Sequence, residues 1–256
     1  MHVARLSLTP VKGTAHGQPE RLVLDPAGPR DDRRFCLVDP ARERVLRTVE
    51  NPRLVACRAQ VAGTRLSVVL PGDVHVAGDV APGRPMTVDY WGRAAAVTVV
   101  DGPWADAFSD YLGRDVVLAA ALDRMVFGGS VTVLTTSSLR ELASRLGTDP
   151  RGVLADSERF RSTVVVDTGD APAFVEDGWA GLSLGPVTLR VRGPVPRCAV
   201  VRIRPGVGDV DALDPLRALA SDRTEVNERG REVVFGVDAD VVGAGVVSVG
   251  DDVQSS

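Results

Sequence analysis

The sequence is poor in aromatic residues, cysteine and histidine, and it contains no long apolar run. Aromatics make up 4% of the 256 residues, so valine, alanine and leucine must fill the core. Three cysteines lie far apart, an odd number that argues against a disulfide framework. The three histidines lack the spacing of metal ligands, and a membrane span would need about 20 consecutive apolar residues. These absences exclude a disulfide-stabilised secreted domain, a histidine-centred metal site and a membrane-spanning protein.

A net positive charge is also lacking, since the formal net charge is −4. This balance argues against a general nucleic-acid binder or a membrane-surface binder. The N-terminus has no apolar signal-peptide region. The nucleophile elbow, the phosphate-binding P-loop, the Cys-x-x-Cys pair and the dinucleotide fingerprint are missing as well. We therefore expect a cytoplasmic protein without nucleic-acid or membrane partners.

Short apolar segments separated by turn-forming residues predict the fold. Their regular spacing is typical of a barrel or sandwich rather than of βαβ units. Helical spacing is first clear at residues 104–112 and again at 137–146, where Gly113 and Gly147 are the expected C-caps and Thr136 or Ser137 the expected N-cap of the second helix. The sequence thus predicts a mainly β fold with a few short helices (α+β), divided near residue 100 into domains 1–100 and 101–256. The predicted strands include residues 3–8, 35–39, 54–61, 66–70, 86–90, 94–100, 116–122 and 131–134.

Cys198 lies in the most distinctive stretch, residues 193–208. Pro194 and Pro196 fix φ and predict a stiff, extended approach to the thiol, with a new strand starting at residues 199–201. A cationic environment favours the thiolate, the form that attacks electrophiles or binds metal. The other interpretation is a small buried hydrophobic residue at a strand end, which is also how we interpret Cys36 and Cys57. The nearby arginines are Arg192, Arg197, Arg202 and Arg204.

Basic residues also follow turns and precede strands elsewhere in the chain. Lys12 lies in a Pro-Val-Lys-Gly turn, Arg33 and Arg34 follow another turn, and Arg159 and Arg161 lead into a strand. If they converge on one cleft, they would suit a phosphate or another anion. The alternative is that each is an ordinary solvated surface residue. Near the strand at 182–184, Glu176 and Asp177 could be acid–base groups or partners for arginines.

An ordered set of short motifs resembles the MOSC proteins, the family named for the C-terminal domain of molybdenum cofactor sulfurase. The resemblance covers nearly the whole chain and implies a β-barrel MOSC fold preceded by an N-terminal β-barrel-like region. The matching motifs are Pro10-Val11-Lys12, Asp32-Arg33-Arg34-Phe35, Asn51-Pro52-Arg53-Leu54, Arg159-Phe160-Arg161, Phe174-x-Glu176-Asp177-x-Trp179, Pro196-Arg197-Cys198, Phe235-Gly236 and Val249-Gly250-Asp251.

The resemblance also implies a molybdenum cofactor (Mo-pterin) site. In the branch that includes the mitochondrial amidoxime-reducing component, the cysteine matching Cys198 ligates molybdenum and takes part in catalysis. Lys12 and Arg34 match positions that hold the pterin phosphate, and Arg161 matches an arginine that faces the cofactor. We add Arg33, Arg159 and Arg197 as expected cofactor-binding residues. A guanidinium suits a phosphate, and a soft thiolate suits the metal.

Some positions depart from the family pattern around this site. Ser162 and Thr163 replace a Pro-Asn pair, and Arg202 and Arg204 fall where a Thr-Thr pair and an aspartate are frequent. These departures leave open the substrate class and whether cofactor binding is retained.

The leading functional hypothesis is a molybdenum-cofactor oxidoreductase that reduces N-oxygenated small molecules. Because no ferredoxin module follows residue 256, we expect a separate electron-donor protein. A second hypothesis is a cofactor carrier or sulfur-transfer protein that uses Cys198. A third is a non-catalytic MOSC binding module that has kept the barrel and lost the ligand.

Overall fold

A computed structural model describes residues 1–121, 125, 128–228 and 230–256. In this part of the chain the protein is mainly β with a few short helices, as predicted. The α-helices are α1 Trp104–Leu112, α2 Thr136–Leu146, α3 Val153–Asp156 and α4 Pro215–Leu219, and the 3₁₀ helices are Pro52–Ala56, Pro150–Gly152, Ser157–Phe160, Val175–Gly178 and Ala199–Arg202. The strands are β1 His2–Leu6, β2 Arg21–Asp25, β3 Gly28–Pro29, β4 Phe35–Asp39, β5 Arg44–Val45, β6 Arg58–Ala62, β7 Arg65–Leu70, β8 Val74–Asp79, β9 Ala81–Tyr90, β10 Arg93–Asp101, β11 Val117–Ala121, β12 Val131–Thr135, β13 Val164–Asp167, β14 Gly181–Leu184, β15 Val187–Pro196, β16 Thr224–Asn227, β17 Gly230–Gly243, β18 Gly245–Ser248 and β19 Val253–Ser255.

The N-terminal half contains a closed barrel in the order β10-β11-β4-β5-β9. Period-two alternation turns one apolar face of each strand inward, and Cys36, Val38, Val88 and Val97 pack together there. A separate sheet, β6-β7-β8, covers a second core cluster that includes Leu66 and Val68. The predicted strand at 116–122 is observed as β11, and residue 122 lies outside the described residues.

The C-terminal half is built on a larger sheet in the order β1-β13-β12-β17-β15-β14-β19, with β16 paired to β17. The parallel neighbours β12 and β13 are connected through α2, the type of crossover that parallel strands need. The first strand of the chain, β1, pairs with β13 in this sheet. The N-terminal segment therefore brings residues of the first half against the second half.

Helix α1 confirms the predicted amphipathic helix. Its apolar side buries Trp104 and Phe108 completely, and Gly113 ends it in the left-handed conformation at φ 69°. Trp104, Phe108 and Leu118 belong to the same core cluster as Leu66 of β7. Helix α1 and β11 therefore pack with the N-terminal barrel. The domain division at residue 100 stays a prediction.

Two local predictions were wrong in detail. The N-cap of α2 is Thr135 rather than Thr136 or Ser137, because Thr135 keeps the extended backbone of β12 and its Oγ1 accepts the Ser138 amide at 3.3 Å. The predicted strand at 54–61 begins instead as the 3₁₀ helix Pro52–Ala56, since proline is well suited to the first helical position. Among the described residues, no helix combines the length and apolarity needed to cross a bilayer.

Candidate functional site

The approach to Cys198 is extended, as predicted. Strand β15 pairs with β17 as far as Pro196, which lies opposite Val234, and the Arg197 amide donates to the Val233 carbonyl at 2.8 Å. Cys198 itself has φ −116° and ψ 178°. The predicted strand at 199–201 is wrong, because the Val201 amide turns back to the Cys198 carbonyl at 3.2 Å and starts the 3₁₀ helix Ala199–Arg202. Cys198 therefore lies at the corner where the sheet ends and this helix begins.

The three thiols have different environments. Cys198 is exposed, whereas Cys36 and Cys57 are both 0% exposed and pack in the core, which confirms the packing role predicted for these two. Burial raises the pKa of Cys36 and of Cys57 to about 12. Of the three, Cys198 is thus the thiol that solvent-borne reagents can reach.

A differential labelling experiment follows directly from this arrangement. We expect a thiol-reactive disulfide reagent to modify one thiol per chain in the native protein and three after unfolding in denaturant. Peptide mapping should place the native label on Cys198. A Cys198→Ser variant is the control, and appreciable native labelling of that variant would contradict the burial of Cys36 and Cys57.

Most of the arginines near Cys198 are paired with carboxylates. Arg192 lies 3.9 Å from Asp240, Arg202 lies 3.5 Å from Asp214, and Arg204 lies 2.7 Å from Asp209. The predicted positive surroundings of the thiol are therefore largely offset by these three pairs.

Arg197 turns into the protein instead. Its Nε donates to the Phe235 carbonyl at 2.8 Å and its Nη1 to the Phe160 carbonyl at 2.9 Å. Its Nη2 is buried without a hydrogen-bond partner among the described residues. Burial lowers the pKa of Arg197 to about 10, partly opposed by the charges of Cys198, Asp238 and Glu176. Arg197, the residue directly before Cys198, is thus anchored to two backbone carbonyls, and its Nη2 has no partner among the described residues.

Three of the predicted cations come together, and we call Lys12, Arg33 and Arg161 the cation cluster. The Lys12 ammonium lies 3.4 Å from the Met125 carbonyl and 5.2 Å from the centre of the Tyr90 ring. Arg161 Nη2 donates to the Thr14 carbonyl at 2.9 Å. These residues come from the loop after β1, the turn before β4 and the turn before β13, so the pairing of β1 with β13 brings them close.

The electrostatics of the cation cluster reflect burial first and the crowding of like charges second. Burial, together with the charges of Arg33 and Arg161, lowers the pKa of Lys12 to about 7. Burial likewise lowers the pKa of Arg161 to about 9, again with a contribution from Arg33. Asp32 is the carboxylate that opposes both shifts. It is 2% exposed, pairs with Arg33, and accepts the Thr9 amide at 3.0 Å.

His16 also belongs to this region, although no pattern in the sequence identifies it. Its Nε2 lies 3.4 Å from Arg33 Nη2, and its Nδ1 is buried without a hydrogen-bond partner among the described residues. Burial, followed by the charges of Arg161 and Arg33, holds the pKa of His16 well below its usual value. A neutral imidazole with an unused nitrogen is a hydrogen-bonding group available to a ligand.

A narrow cleft lies between Arg161 of the cation cluster and the segment that follows Cys198. Its lining includes His16, Arg159, Arg161, Val200 and Ile203, but not Lys12 or Arg33. Glu158 also lines it and accepts a hydrogen bond from Gln18. The cavity is about 20 Å³, room for roughly one water molecule. Cys198 lies two residues before Val200 in the sequence and is not among the residues that line this cleft.

The remaining predicted cofactor-binding residues have protein partners. Arg34 pairs with Asp31 at 3.1 Å and is 39% exposed. Arg159 is buried and bonds to the Val201 carbonyl and to Asp211. The structure thus brings together Lys12, Arg33 and Arg161 and uses Arg34, Arg159 and Arg197 for contacts within the protein.

Glu176 and Asp177 lie in the same 3₁₀ helix and have different hydrogen-bond partners. Glu176 is 0% exposed and accepts hydrogen bonds from Thr135 Oγ1 at 2.8 Å and Ser138 Oγ at 2.7 Å. Burial raises its pKa, partly opposed by these hydroxyls. Asp177 accepts from Arg223 Nη2 at 3.0 Å, the arginine-pairing role considered for it from the sequence.

Family models match both halves of the chain. The model of the MOSC domain matches residues 124–254, and that of the MOSC N-terminal beta barrel domain matches residues 1–115. Two curated relatives carry informative names. Mitochondrial amidoxime reducing component 2 from Bos taurus is 32% identical over 127 residues, 48% of this chain and 36% of that protein. Molybdenum cofactor sulfurase from Solanum lycopersicum is 29% identical over 112 residues, 41% of this chain and 13% of that protein.

The chain therefore spans little more than a third of the first relative and a smaller part of the second. A solved structure, the YUAD protein from Bacillus subtilis, aligns over 98% of this chain and 92% of its own, with 12% identity and a TM-score of 0.43.

Proposed function

Because this chain belongs to the MOSC family, we propose that it binds the molybdenum cofactor and reduces N-oxygenated small molecules with electrons from a separate protein. The names of two relatives support the two parts of this proposal, since one is an amidoxime reducing component and the other a molybdenum cofactor sulfurase. The observation that carries it is the cation cluster, in which Arg33 and Arg161 act electrostatically on Lys12, together with the exposed thiol of Cys198.

The residues of the cation cluster suit the phosphate of a pterin cofactor. Lys12, Arg33 and Arg161 act on one another electrostatically, and the carboxylate of Asp32 opposes their effect in part. A bound phosphate would supply the missing negative charge, and guanidinium donors match its geometry. The unpartnered Nδ1 of His16 adds a neutral hydrogen-bonding group in the same region. We assign phosphate binding to Lys12, Arg33 and Arg161, which act on one another, and we do not extend it to Arg159, whose Nη1 and Nη2 bind protein acceptors, or to Arg34, which pairs with Asp31 outside the cation cluster.

Cys198 suits the metal. Among the described residues no group of three or more His, Cys, Asp and Glu side chains is arranged to hold a metal ion, so the protein would offer one thiolate and the cofactor the other ligands. A thiolate is a soft donor of the kind that binds such a centre. When bound, the cofactor supplies the two-electron redox chemistry, while the protein binds and orients it. The extended backbone at Cys198 and the anchored Arg197 hold the sulfur at a defined corner.

The test is expression in a host that makes the cofactor, followed by molybdenum and pterin analysis and an assay for reduction of an N-hydroxylated amidine. We expect about one molybdenum per chain in the wild type and loss of turnover in Cys198→Ser. We expect Arg161→Met to lose the cofactor and the control Arg190→Met to keep it, because Arg190 is an exposed residue paired with Asp240.

Other outcomes separate the alternatives. Bound cofactor without turnover, given a chemical electron donor, would favour a carrier or sulfur-transfer protein, a role that the exposure of Cys198 also suits. Absence of both molybdenum and pterin from the purified wild type would contradict the proposal and favour a binding module that has lost the ligand.

A further inference from the structure

We propose that Arg159 is a positioning residue for Cys198, because it fixes the short helix that follows the thiol and thereby sets the location and reactivity of the sulfur. The catalytic meaning of this role rests on the proposed function, whereas the role itself concerns the protein alone. Arg159 lies at the end of the 3₁₀ helix Ser157–Phe160 and its side chain is 5% exposed.

The guanidinium of Arg159 contacts two separate segments of the chain. Arg159 Nη1 donates to the Val201 carbonyl at 3.0 Å, and Nη2 donates to Asp211 Oδ2 at 3.2 Å. Val201 belongs to the helix that begins directly after Cys198, and Asp211 belongs to the loop that returns past it. A planar guanidinium bound at both ends of its fork holds two chain segments in a fixed relation.

Asp211 is itself fixed to the 3₁₀ helix Ala199–Arg202. The Asp211 amide donates to the Arg202 carbonyl at 2.8 Å, and Asp211 Oδ1 accepts the Leu213 amide at 3.2 Å. Ile203 and Val210 form an isolated antiparallel bridge between these contacts. The helix after Cys198 is therefore closed into a loop by the partner that Arg159 binds.

Phe160, the residue next to Arg159, holds the segment that precedes Cys198. The Phe160 carbonyl accepts Arg197 Nη1 at 2.9 Å, directly before Cys198. Arg161 then adopts a left-handed conformation at φ 53° and reaches the Thr14 carbonyl in the cation cluster. Three consecutive residues thus connect the chain after the thiol, the chain before it and the cation cluster.

Arg159 also lines the cleft, but its contacts favour a positioning role over direct ligand binding. Its Nη1 and Nη2 are committed to protein acceptors, and its side chain is nearly inaccessible. Loss of the guanidinium would release the helix at 199–202 and leave the buried Val201 carbonyl without that donor. The sulfur would then sample positions that the native loop excludes, and its reaction rate with small electrophiles would change.

The experiment measures the rate of Cys198 alkylation by iodoacetamide as a function of pH. It uses the full chain from a host that does not make the molybdenum cofactor, so that the thiol is free. We expect Arg159→Met to change the rate constant by about three- to tenfold throughout the pH range measured, because the two residues belong to one network of contacts. Arg159→Lys should restore part of the effect, since a lysine can reach one of the two acceptors.

Arg145→Met is the matched control. Like Arg159, Arg145 binds two acceptors from different elements, here the carboxylates of Glu141 and Asp222, and its side chain is 22% exposed. We expect it to lower the melting temperature without changing the alkylation profile. Asp211→Asn is the second test should Arg159→Met fail to fold, and we expect it to change the profile in the same direction.

Unchanged alkylation profiles in Arg159→Met and Asp211→Asn, with lowered melting temperatures, would overturn the proposal and leave Arg159 a structural residue. This result is separate from the proposed function, because the alkylation of the metal-free protein needs neither cofactor nor turnover. A protein that never binds molybdenum would still give the alkylation profile that decides the role of Arg159.

Discussion

Asp32→Asn is expected to lower the free energy of unfolding by about 3–5 kcal/mol, the usual cost of removing one partner from a buried charge pair. Asp32 is 2% exposed, pairs with Arg33 and opposes the mutual repulsion of Lys12 and Arg161. An asparagine can still accept the Thr9 amide, so the variant removes the charge with little change in shape. Urea unfolding of the wild type and the variant at pH 7 measures the difference.

The same variant also tests whether the cation cluster is built for an anion. Inorganic pyrophosphate should stabilise Asp32→Asn more than the wild type, because a bound anion restores the negative charge that the substitution removes. The matched control is Asp209→Asn, whose carboxylate forms an exposed pair with Arg204. We expect that variant to lose less than about 1 kcal/mol and to gain nothing from pyrophosphate.

Equal losses in Asp32→Asn and Asp209→Asn would contradict the account of the cation cluster. So would a large loss in Asp32→Asn that pyrophosphate leaves unchanged, since it would mean that Asp32 supports the fold without balancing an anion site.

The segment around Cys198 shows which local structure can be predicted from neighbouring residues and which cannot. Pro194 and Pro196 restrict their own backbone and that of the preceding residues, so the extended approach could be predicted from the chain alone. The three apolar residues 199–201 could not be assigned in the same way, because a short apolar run fits a buried helix as well as a strand. Contacts from distant residues hold the observed helix, above all the hydrogen bond from Arg159 to the Val201 carbonyl.

The cation cluster is a second feature that could not be predicted from local sequence. The chemical types of Lys12, Arg33 and Arg161 indicated an anion site, but their proximity depends on the pairing of β1 with β13. Arg33 and Arg34 are neighbours in sequence and have different partners, since Arg33 has a left-handed backbone at φ 49° and pairs with the buried Asp32, whereas Arg34 pairs with Asp31. No periodicity in the sequence carries that distinction.

The free energy of unfolding of the ligand-free protein is expected to rise by about 2 kcal/mol between pH 7 and pH 9, because of Lys12. Burial and the charges of Arg33 and Arg161 lower the pKa of Lys12 from 10.5 to about 7 in the folded state. Within that interval the unfolded chain binds a proton that the folded chain does not. Stability therefore increases with pH, and it is lost as the pH falls toward 7.

Other titrating groups set the limits of this window. His16, whose folded pKa lies well below 6.5, contributes stability that is lost as the pH falls below that value. At pH 9 about half of the thiols of the unfolded chain are ionised, whereas those of Cys36 and Cys57 ionise only at about 12 in the folded state. That difference opposes the effect of Lys12, whereas Arg161, with a folded pKa of about 9, adds to it. Both effects grow above pH 9, so the measurement belongs between pH 7 and 9.

Urea unfolding under reducing conditions at pH 7, 8 and 9 provides the test, with Lys12→Met as the variant and Arg190→Met as the control. We expect the rise to disappear in Lys12→Met, to persist in Arg190→Met and to shrink when pyrophosphate is present, because a bound anion favours the protonated lysine. Lys12 is the only lysine in the sequence, so the side-chain resonance of isotopically labelled lysine follows its titration directly. A midpoint close to 10.5, together with equal stability at pH 7 and 9, would mean that Lys12 is solvated and that the repulsion within the cation cluster is absent.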